Sequence, residues 1–406
     1  MKKNYLWGIC AVMALSSCSQ DDVVSVPQTS INYSVVTNKA SRAQDVFCNN
    51  NKPASFNVSA YYNAPTSGTE LSGQYFDGDQ VNVSGTTVTP VMNRYWPEEG
   101  TLDFYAYVNA GNTYKFRNAE ASNQTQFVDF TINKTVSDQV DLLYAVAKGQ
   151  TEADAPVKLN FRHALSQIVF QARNENPAIH VIVKGVGVGN VESKGTFTFP
   201  EQPTTENVED HDQNGTFEIK NQGTWALEDD VLDAYAVTFE PTISLATPTL
   251  ETSSTTNLTN NELLGDNEAG DATKYDFAKA MLLMPQVLQD PWDPTAAATD
   301  NGAYIELDCE IYNVSGTSYD SDKDIKLYDG KIRMPLGSTS TNETVEWKQG
   351  FKYVYTFVFT KQGNGGFDPD DGDPVLVPIT YTITVDDFTN EENKDVIMDT
   401  NSDKNN

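Results

Sequence analysis

A chain of 406 residues with 57 acidic and 27 basic side chains carries a formal charge of −30 and a pI of about 4.3. A field of that sign repels phosphate backbones and offers no polybasic patch to anionic lipid heads, which excludes nucleic-acid and membrane-surface binding as primary functions. With 39% hydrophobic and 11% aromatic residues the chain is too apolar to be disordered, and its length leads us to expect two domains with real cores.

The N-terminus reads as a targeting segment. Lys2 and Lys3 precede a mostly apolar run, Tyr5 to Leu15, that is too short to span a bilayer. Leu15-Ser-Ser-Cys18 follows and resembles a bacterial lipobox. That resemblance implies a signal peptide over 1–17, cleavage before Cys18 and a diacylglycerol on its thiol. Ser19-Gln-Asp-Asp22 resembles the acidic export tag of surface-exposed lipoproteins of the Bacteroidetes. Next, Ile31-Asn-Tyr-Ser-Val35 alternates, so Ile31, Tyr33 and Val35 are expected on one face of a first strand. The small, polar stretch after it, Ser34 to Asp45, contains two cations, Lys39 and Arg42. It is either a solvated linker or a target for a trypsin-like protease.

Past residue 45 the dominant period is two. Phe56, Val58 and Ala60 alternate, as do Leu102, Phe104, Ala106 and Val108, and then Val157, Leu159 and Phe161. Tyr353, Tyr355, Phe357 and Phe359 follow, and finally Ile379, Tyr381, Ile383 and Val385. Such alternation marks antiparallel strands buried on one face, separated by turn signals at Asp77-Gly78, Asn109-Ala-Gly111 and Asn364-Gly-Gly366. Helical patterns are short, with Asp138 to Ala147 and Tyr275 to Met281 the best of them. The fold class expected is all-β, with two β-sandwich domains in tandem. The least apolar break, Lys148 to Pro156, divides them into 43–155 and 156–390, followed by a polar tail over 391–406. Long loops are expected over Gln202 to Asn214, Thr247 to Asp271 and Gly363 to Pro374.

Candidate chemistry is thin. Of four cysteines, Cys10 leaves with the signal peptide and Cys18 is the lipidation site. Cys48 and Cys309 could form a disulfide outside the cytosol. Cys309 shares a strand face with Ile305, Leu307 and Ile311, which favours a buried free thiol. Asp368, Asp370, Asp371 and Asp373 around Gly372 are spaced like part of a calcium loop. They lack the distal bidentate Glu, so a solvated hairpin tip is the expectation. His163, His180 and His211 are too few and too scattered for a metal set, and His163 reads as a packing residue. No Gly-x-Ser-x-Gly or phosphate loop is present, and nothing singles out a pair of carboxylates for glycoside hydrolysis. No metal, cofactor or catalytic residue is therefore assigned. Trp96 and Trp347 flank strand patterns and read as core or domain-edge residues, while Trp292, between prolines, is the tryptophan expected to be exposed and able to stack on a sugar.

Several phrases occur in one order: Ser41-Arg-Ala43, Tyr95-Trp-Pro97 with Leu102-Asp-Phe-Tyr-Ala-Tyr107, Asp141-Leu-Leu-Tyr-Ala145, and Phe161-Arg-His-Ala-Leu-Ser166. Leu282-Leu-Met-Pro-Gln286, Trp347-Lys-Gln-Gly-Phe-Lys-Tyr353 and Ile383-Thr-Val-Asp-Asp-Phe388 follow. From the lipobox to about residue 390 this resembles the Bacteroidales fimbrillin family, the Mfa-like subunits of type V pili. The resemblance implies a two-domain, transthyretin-like Greek-key sandwich, exported as an outer-membrane lipoprotein. It implies an arginine-specific protease that cuts after Arg42, with Lys39 the second choice. The propeptide 18–42, with its lipid and first strand, then leaves, and a neighbouring subunit's C-terminal strand fills the vacated groove. Partners would be other fimbrillin subunits, in a homo- or heteropolymer at the cell surface.

The tail departs from this picture. Its only apolar cluster is Val396-Ile397-Met398, a weak donor strand on burial alone. Either a few side chains suffice, or the subunit accepts a strand and gives none, as a tip subunit would, or the donor includes Ile379 to Val385. The competing expectation is a monomeric surface lipoprotein that binds glycans. An enzyme ranks third.

Overall fold

The computed structural model describes residues 29–35, 54–66, 71–84, 87–108, 114–116, 124–204, 209–211, 217–219, 221–229, 231–245, 248, 255–258, 281–288, 291–295, 302–338, 345–361, 365–370, 372–375, 377, 379–387 and 395–396. Among these the chain is all-β. Its helical pieces are two single 3-10 turns, Val136–Asp138 and Glu152–Asp154.

A six-stranded antiparallel sheet sits at the centre. Its spatial order is Arg162–His163, Leu143–Gln150, Thr101–Val108, Ser55–Asn63, Gly73–Ser84, Thr87–Pro90. Its inner strands, Leu143–Gln150, Thr101–Val108 and Ser55–Asn63, are buried on both faces, whereas Gly73–Ser84 and Thr87–Pro90 are largely exposed. Phe56, Val58, Leu102, Phe104, Ala106, Leu143 and Ala145 point into one apolar cluster. Tyr105, Tyr107, Tyr144 and Val146 point into another. Double burial explains why Leu142–Ala147 is a continuous apolar run rather than an alternating one, and why aromatic residues also fall on the second face of Leu102–Tyr107. It also corrects the expected helix over Asp138 to Ala147, since Leu143–Gln150 is a strand paired to Thr101–Val108. A short, all-apolar run cannot be told from a buried helix by its period.

The larger cluster lies chiefly between two more sheets. In one, Ser166–Asn174 runs parallel to Phe351–Phe359 over eight residue pairs, and Ile379–Asp387 adds antiparallel to the latter over nine. In the other the order is Leu232–Ser244, Ile179–Glu192, Tyr304–Asn313, Ile325–Pro335. Phe170, Tyr355 and Phe357 of the first share a core with Val181, Val183, Ile305, Leu307, Cys309 and Ile311 of the second. A third sheet joins early and late chain, because Gln126–Thr131 pairs with Lys194–Thr198, which pairs with Thr224–Leu227.

The expected loops contain short strands. Glu209–His211 forms a hairpin with Phe217–Ile219, and Thr256–Asn257 lies on Gln171 and Ala172. Met281 begins a strand against Ser166–Ile168, and the rest of the helical pattern expected there lies outside the described residues.

Candidate functional site: the seat of the first strand

The alternating segment after the targeting region forms a strand, Tyr33–Val35, that belongs to none of the large sheets. It pairs in parallel with Val157–Leu159, in the register Tyr33 to Val157, Ser34 to Lys158 and Val35 to Leu159. Val157 N–H donates to Asn32 O at 2.8 Å. On the opposite rail, Ile31 N–H donates to Arg94 O at 2.7 Å, and Trp96 N–H donates to Thr29 O at 3.0 Å. A bridge between Ser30 and Tyr95 lies between them. One short stretch, 29–35, is thus strung between two rails that are distant in sequence.

Its side chains close the smaller cluster. Ile31 is 2% exposed and Tyr33 6%, and Val35 packs half-buried on the rim. The Tyr33 ring meets Phe56 at 6.3 Å and Phe104 at 6.0 Å, both edge to face. Phe104 in turn meets Trp96 at 5.9 Å and Phe76 at 6.3 Å. Such contacts add to plain burial, because the positive edge of one ring faces the negative face of another. At the mouth, Arg94 makes a two-pronged pair with Asp79, Nε to Oδ2 at 2.6 Å and Nη2 to Oδ1 at 3.1 Å, and lies 5.3 Å over Phe76. Burial pushes the Tyr33 phenol well above its ordinary range. Asp79 adds to this and Arg94 opposes it. The pocket therefore holds a neutral aromatic ring.

Only part of the expected site falls within the described residues. Ile31, Tyr33 and Val35 are brought together in the seat. Cys18, Lys39, Arg42, Ile397 and Met398, like Cys48, lie outside. The backbone of Asp395–Val396 pairs with Ile383 and Thr384, at the edge of the larger core's sheet and not at the seat. The sequence reading missed the seat's walls. Arg94, Asp79 and Phe76 carry no motif of their own, while Phe104 lies in the phrase Leu102–Tyr107 and, with Phe56, in the alternation that marked a buried face.

Other candidates resolve into structure. Trp292 is 9% exposed, which corrects the expectation of an exposed platform. It is stacked under Arg333, whose guanidinium lies 5.2 Å from its ring and 3.7 Å from that of Tyr304. Glu306 accepts a hydrogen bond from Arg333 Nη2 at 2.9 Å. Gly302 lets the chain pass, since a Cβ there would come within 2.4 Å of Trp292 N. Trp96 and Trp347 are core residues, 3% and 1% exposed. Cys309 is a buried free thiol, and burial raises its pKa far above the usual range. His163 pairs through Nδ1 with Asp141. At the acidic loop, the Asp368 carboxylate meets one donor of the loop and one from the strand Ile325–Pro335. It accepts from Asp370 N–H at 3.0 Å and from Tyr328 O–H at 3.3 Å. Among the described residues no three His, Cys, Asp or Glu side chains gather as metal ligands.

The phrases noted in the sequence prove to be seams between segments. Arg162 donates to Asn221 O at 3.1 Å and Thr204 O at 3.4 Å. Trp225 Nε1 donates to Ala164 O at 2.7 Å, and Ser166 Oγ to Lys348 O at 2.8 Å. Trp347 Nε1 donates to the Tyr355 hydroxyl at 2.8 Å, and Lys348 N–H to that of Tyr353 at 2.7 Å.

These features define a class: an all-β chain whose smaller core is closed by a short strand from ahead of its main body. The chain belongs to the fimbrillin-like family, whose profile matches residues 41–387. Among solved structures it is similar to a fimbrial protein from Bacteroides vulgatus, at 15% identity and a TM-score of 0.50. That match covers 89% of this chain and 99% of the other. A protein from Bacteroides uniformis, described as a candidate cell adhesion protein, matches at 13% identity and a TM-score of 0.40, covering 90% and 99%. At these identities the first likeness speaks to fold alone. No curated protein matches.

Proposed function

We propose that this protein is a structural subunit of a cell-surface fimbrium, assembled by exchange of its first strand. In this reading the chain is exported as a lipoprotein carrying its lipid on Cys18. It has two sandwich domains, over 43–155 and 156–390, and is cut after Arg42 by an arginine-specific protease. The segment 29–35 then leaves its seat and a strand from another subunit enters.

One observation carries the reading. Ile31 and Tyr33 are almost wholly buried, yet among the described residues the segment that bears them is held by two short rails, three register pairs with Val157–Leu159 on one side and the contacts of residues 29–31 with Arg94–Trp96 on the other. It is also joined to the body through the stretch that holds Arg42. Its loss would bare an apolar slot flanked by two unpaired backbone rails, a template for strand addition. Refilling the places of Ile31, Tyr33 and Val35 at about 1.5–3 kcal/mol each supplies on the order of 5–9 kcal/mol before ordering costs. Cleavage would thus permit assembly only after export. The family and the named fimbrial neighbour support a fimbrial or adhesive role over a catalytic one. The glycan-binding alternative loses its best motif with the burial of Trp292.

The test is Arg42→Ala, with Lys39→Ala added to remove the second site. The variant should accumulate as a folded, lipid-bearing precursor that does not polymerise, since a tethered strand competes at high effective concentration. Gel mobility without boiling reads the outcome. High-mass ladders of equal intensity from variant and wild type would show that strand removal does not control assembly.

A further inference from the structure

We infer that the seat selects its incoming strand by an aromatic residue flanked at two-residue spacing by aliphatic ones, so that this chain's own tail is not its natural filler. The inference rests on the strand-exchange reading above and names the kind of partner that reading needs.

The pocket argues for the aromatic. Tyr33 is the one member of the segment that meets two rings edge to face, and those rings belong to different strands, Phe56 in Ser55–Asn63 and Phe104 in Thr101–Val108. Phe104 is itself held by Trp96 and Phe76, and Arg94 lies over Phe76 while paired to Asp79. The walls are thus fixed by contacts that do not involve the strand's side chains. An aliphatic side chain in Tyr33's place would leave part of this space empty, since packed walls relax only partially around a void. Ile31, two residues earlier, is buried in the same cluster and sets the second requirement. Val35, two residues later and half-buried, sets a weaker third.

The tail lacks this pattern. Lys394-Asp-Val-Ile-Met-Asp-Thr400 offers Val396 and Met398 on one face and Ile397 on the other, with no aromatic. Its backbone at Asp395–Val396 pairs elsewhere. With tyrosine at the centre and polar residues between, the pattern recurs once, as Ile379-Thr-Tyr-Thr-Ile383 beside Ile31-Asn-Tyr-Ser-Val35. That copy belongs to the larger core. It pairs with Phe351–Phe359 over nine residues, Ile379 and Ile383 are buried, and the Tyr381 hydroxyl donates to Pro335 O at 2.9 Å. The looser versions, Val128-Asp-Phe-Thr-Ile132 and Leu142-Leu-Tyr-Ala-Val146, bury their rings in the same core. A second copy of this chain could offer any of these only by opening its own core. The occupant is therefore a strand of another subunit that carries the aliphatic-x-aromatic motif outside that subunit's core, and assembly through this seat is heterotypic.

The experiment uses the full chain cut after residue 42, with the first segment still bound. Dye-labelled peptide 29–36 is exchanged in, and unlabelled peptides compete while fluorescence anisotropy is followed. Peptide 29–36 should compete. Its Tyr33→Leu form should be weaker by more than about ten-fold, as for an aromatic anchor at an interface. Peptide 378–384, freed from its core, should compete within a few-fold of 29–36, and peptide 394–400 should fall with the Leu form. Equal competition by 394–400 or by the Tyr33→Leu peptide would overturn the selection rule while leaving strand exchange standing. Failure of every peptide, 29–36 included, to enter the cut protein would overturn strand exchange itself, and the rule with it.

Discussion

The two cores are closed in opposite ways. The larger one is sealed by Phe351–Phe359, a strand buried at every position and paired on both sides, over eight residues to Ser166–Asn174 and nine to Ile379–Asp387. The smaller one is sealed by Tyr33–Val35, three residues in parallel register with Val157–Leu159. Both closing strands bring tyrosine into aromatic walls, so side-chain chemistry does not separate them. The difference lies in backbone pairing and in where each strand sits in the chain. A strand knitted into two neighbours leaves only by global unfolding, whereas one held on short rails next to a polar connector can leave by local opening. On the strand-exchange reading, the same apolar driving force builds a permanent core and an exchangeable one.

The largest expected effect tests the permanent core. Trp347→Ala removes a side chain that is 1% exposed and strips the Tyr355 hydroxyl of its 2.8 Å donor. It should cost about 3–5 kcal/mol, read by urea denaturation. Next, Tyr33→Ala should cost about 2–3 kcal/mol, because the ring lies at the edge of the smaller cluster and the space it leaves can be reached by water. Cys309 distinguishes the cores in both variants. Its thiol is buried and held protonated, so native protein should resist alkylation. If the smaller core opens alone, Tyr33→Ala leaves Cys309 as slow to react as in the wild type, and Trp347→Ala does not. Equal acceleration in both would merge the two cores into one cooperative unit and break the comparison.

The joint between the cores offers a smaller probe. Thr204 is fully buried. Its Oγ1 accepts from Val146 N–H at 2.9 Å and lies 2.9 Å from Asn160 O, to which it donates. Thr204→Val keeps the shape and leaves Val146 N–H with a lost partner, at a cost of about 1–2 kcal/mol. Because Val146 faces the larger cluster and Ala145 and Ala147 the smaller, the variant should speed Cys309 labelling and release of the cut first strand together.

How much of this was legible depended on the kind of contact. Alternation at Ile31, Tyr33 and Val35, at Phe56 and Val58, and at Tyr353 to Phe359 marked buried faces, because a period of two survives wherever one face is solvated or differently packed. It failed at Leu143–Ala147, where burial on both faces erases the period. Cys309's neighbours were readable because they lie on its own strand. Trp292 was misjudged because its cover, Arg333 and Tyr304, comes from strands beyond it in the chain. The seat's rails were readable one by one, Val157 and Leu159 as alternation and Trp96 within a phrase, but their pairing with the first strand was not, because pairing partners distant in sequence leave no local signature.

The smallest effect is a pH dependence that should appear in the larger core and not at the seat. His180 is 6% exposed on Ile179–Glu192. Its ring stacks on Tyr319 at 4.0 Å and 8°, and Nε2 lies 3.0 Å from Ser244 Oγ. Burial lowers its pKa below 6.5, with the Asp324 carboxylate opposing. Asp324 is occupied by Ser315 N–H at 2.9 Å and Asp320 N–H at 2.8 Å, which holds the loop over the ring. A histidine whose folded pKa is depressed binds its proton more readily when unfolded. Its share of stability is therefore complete above pH 6.5 and is lost as pH falls from 6.5 through the folded value. His180→Phe keeps the stack on Tyr319 and removes the proton site, so urea midpoints of the variant should be flatter than those of the wild type as pH falls below 6.5. The polar groups at the seat's mouth are Arg94 and Asp79, and the histidine beside the smaller core, His163, is the same in both proteins, so release of the cut first strand should show no difference between variant and wild type over that window. A variant that changed strand release with pH would mean that the two cores titrate as one, and that the exchangeable core is not independent of the permanent one.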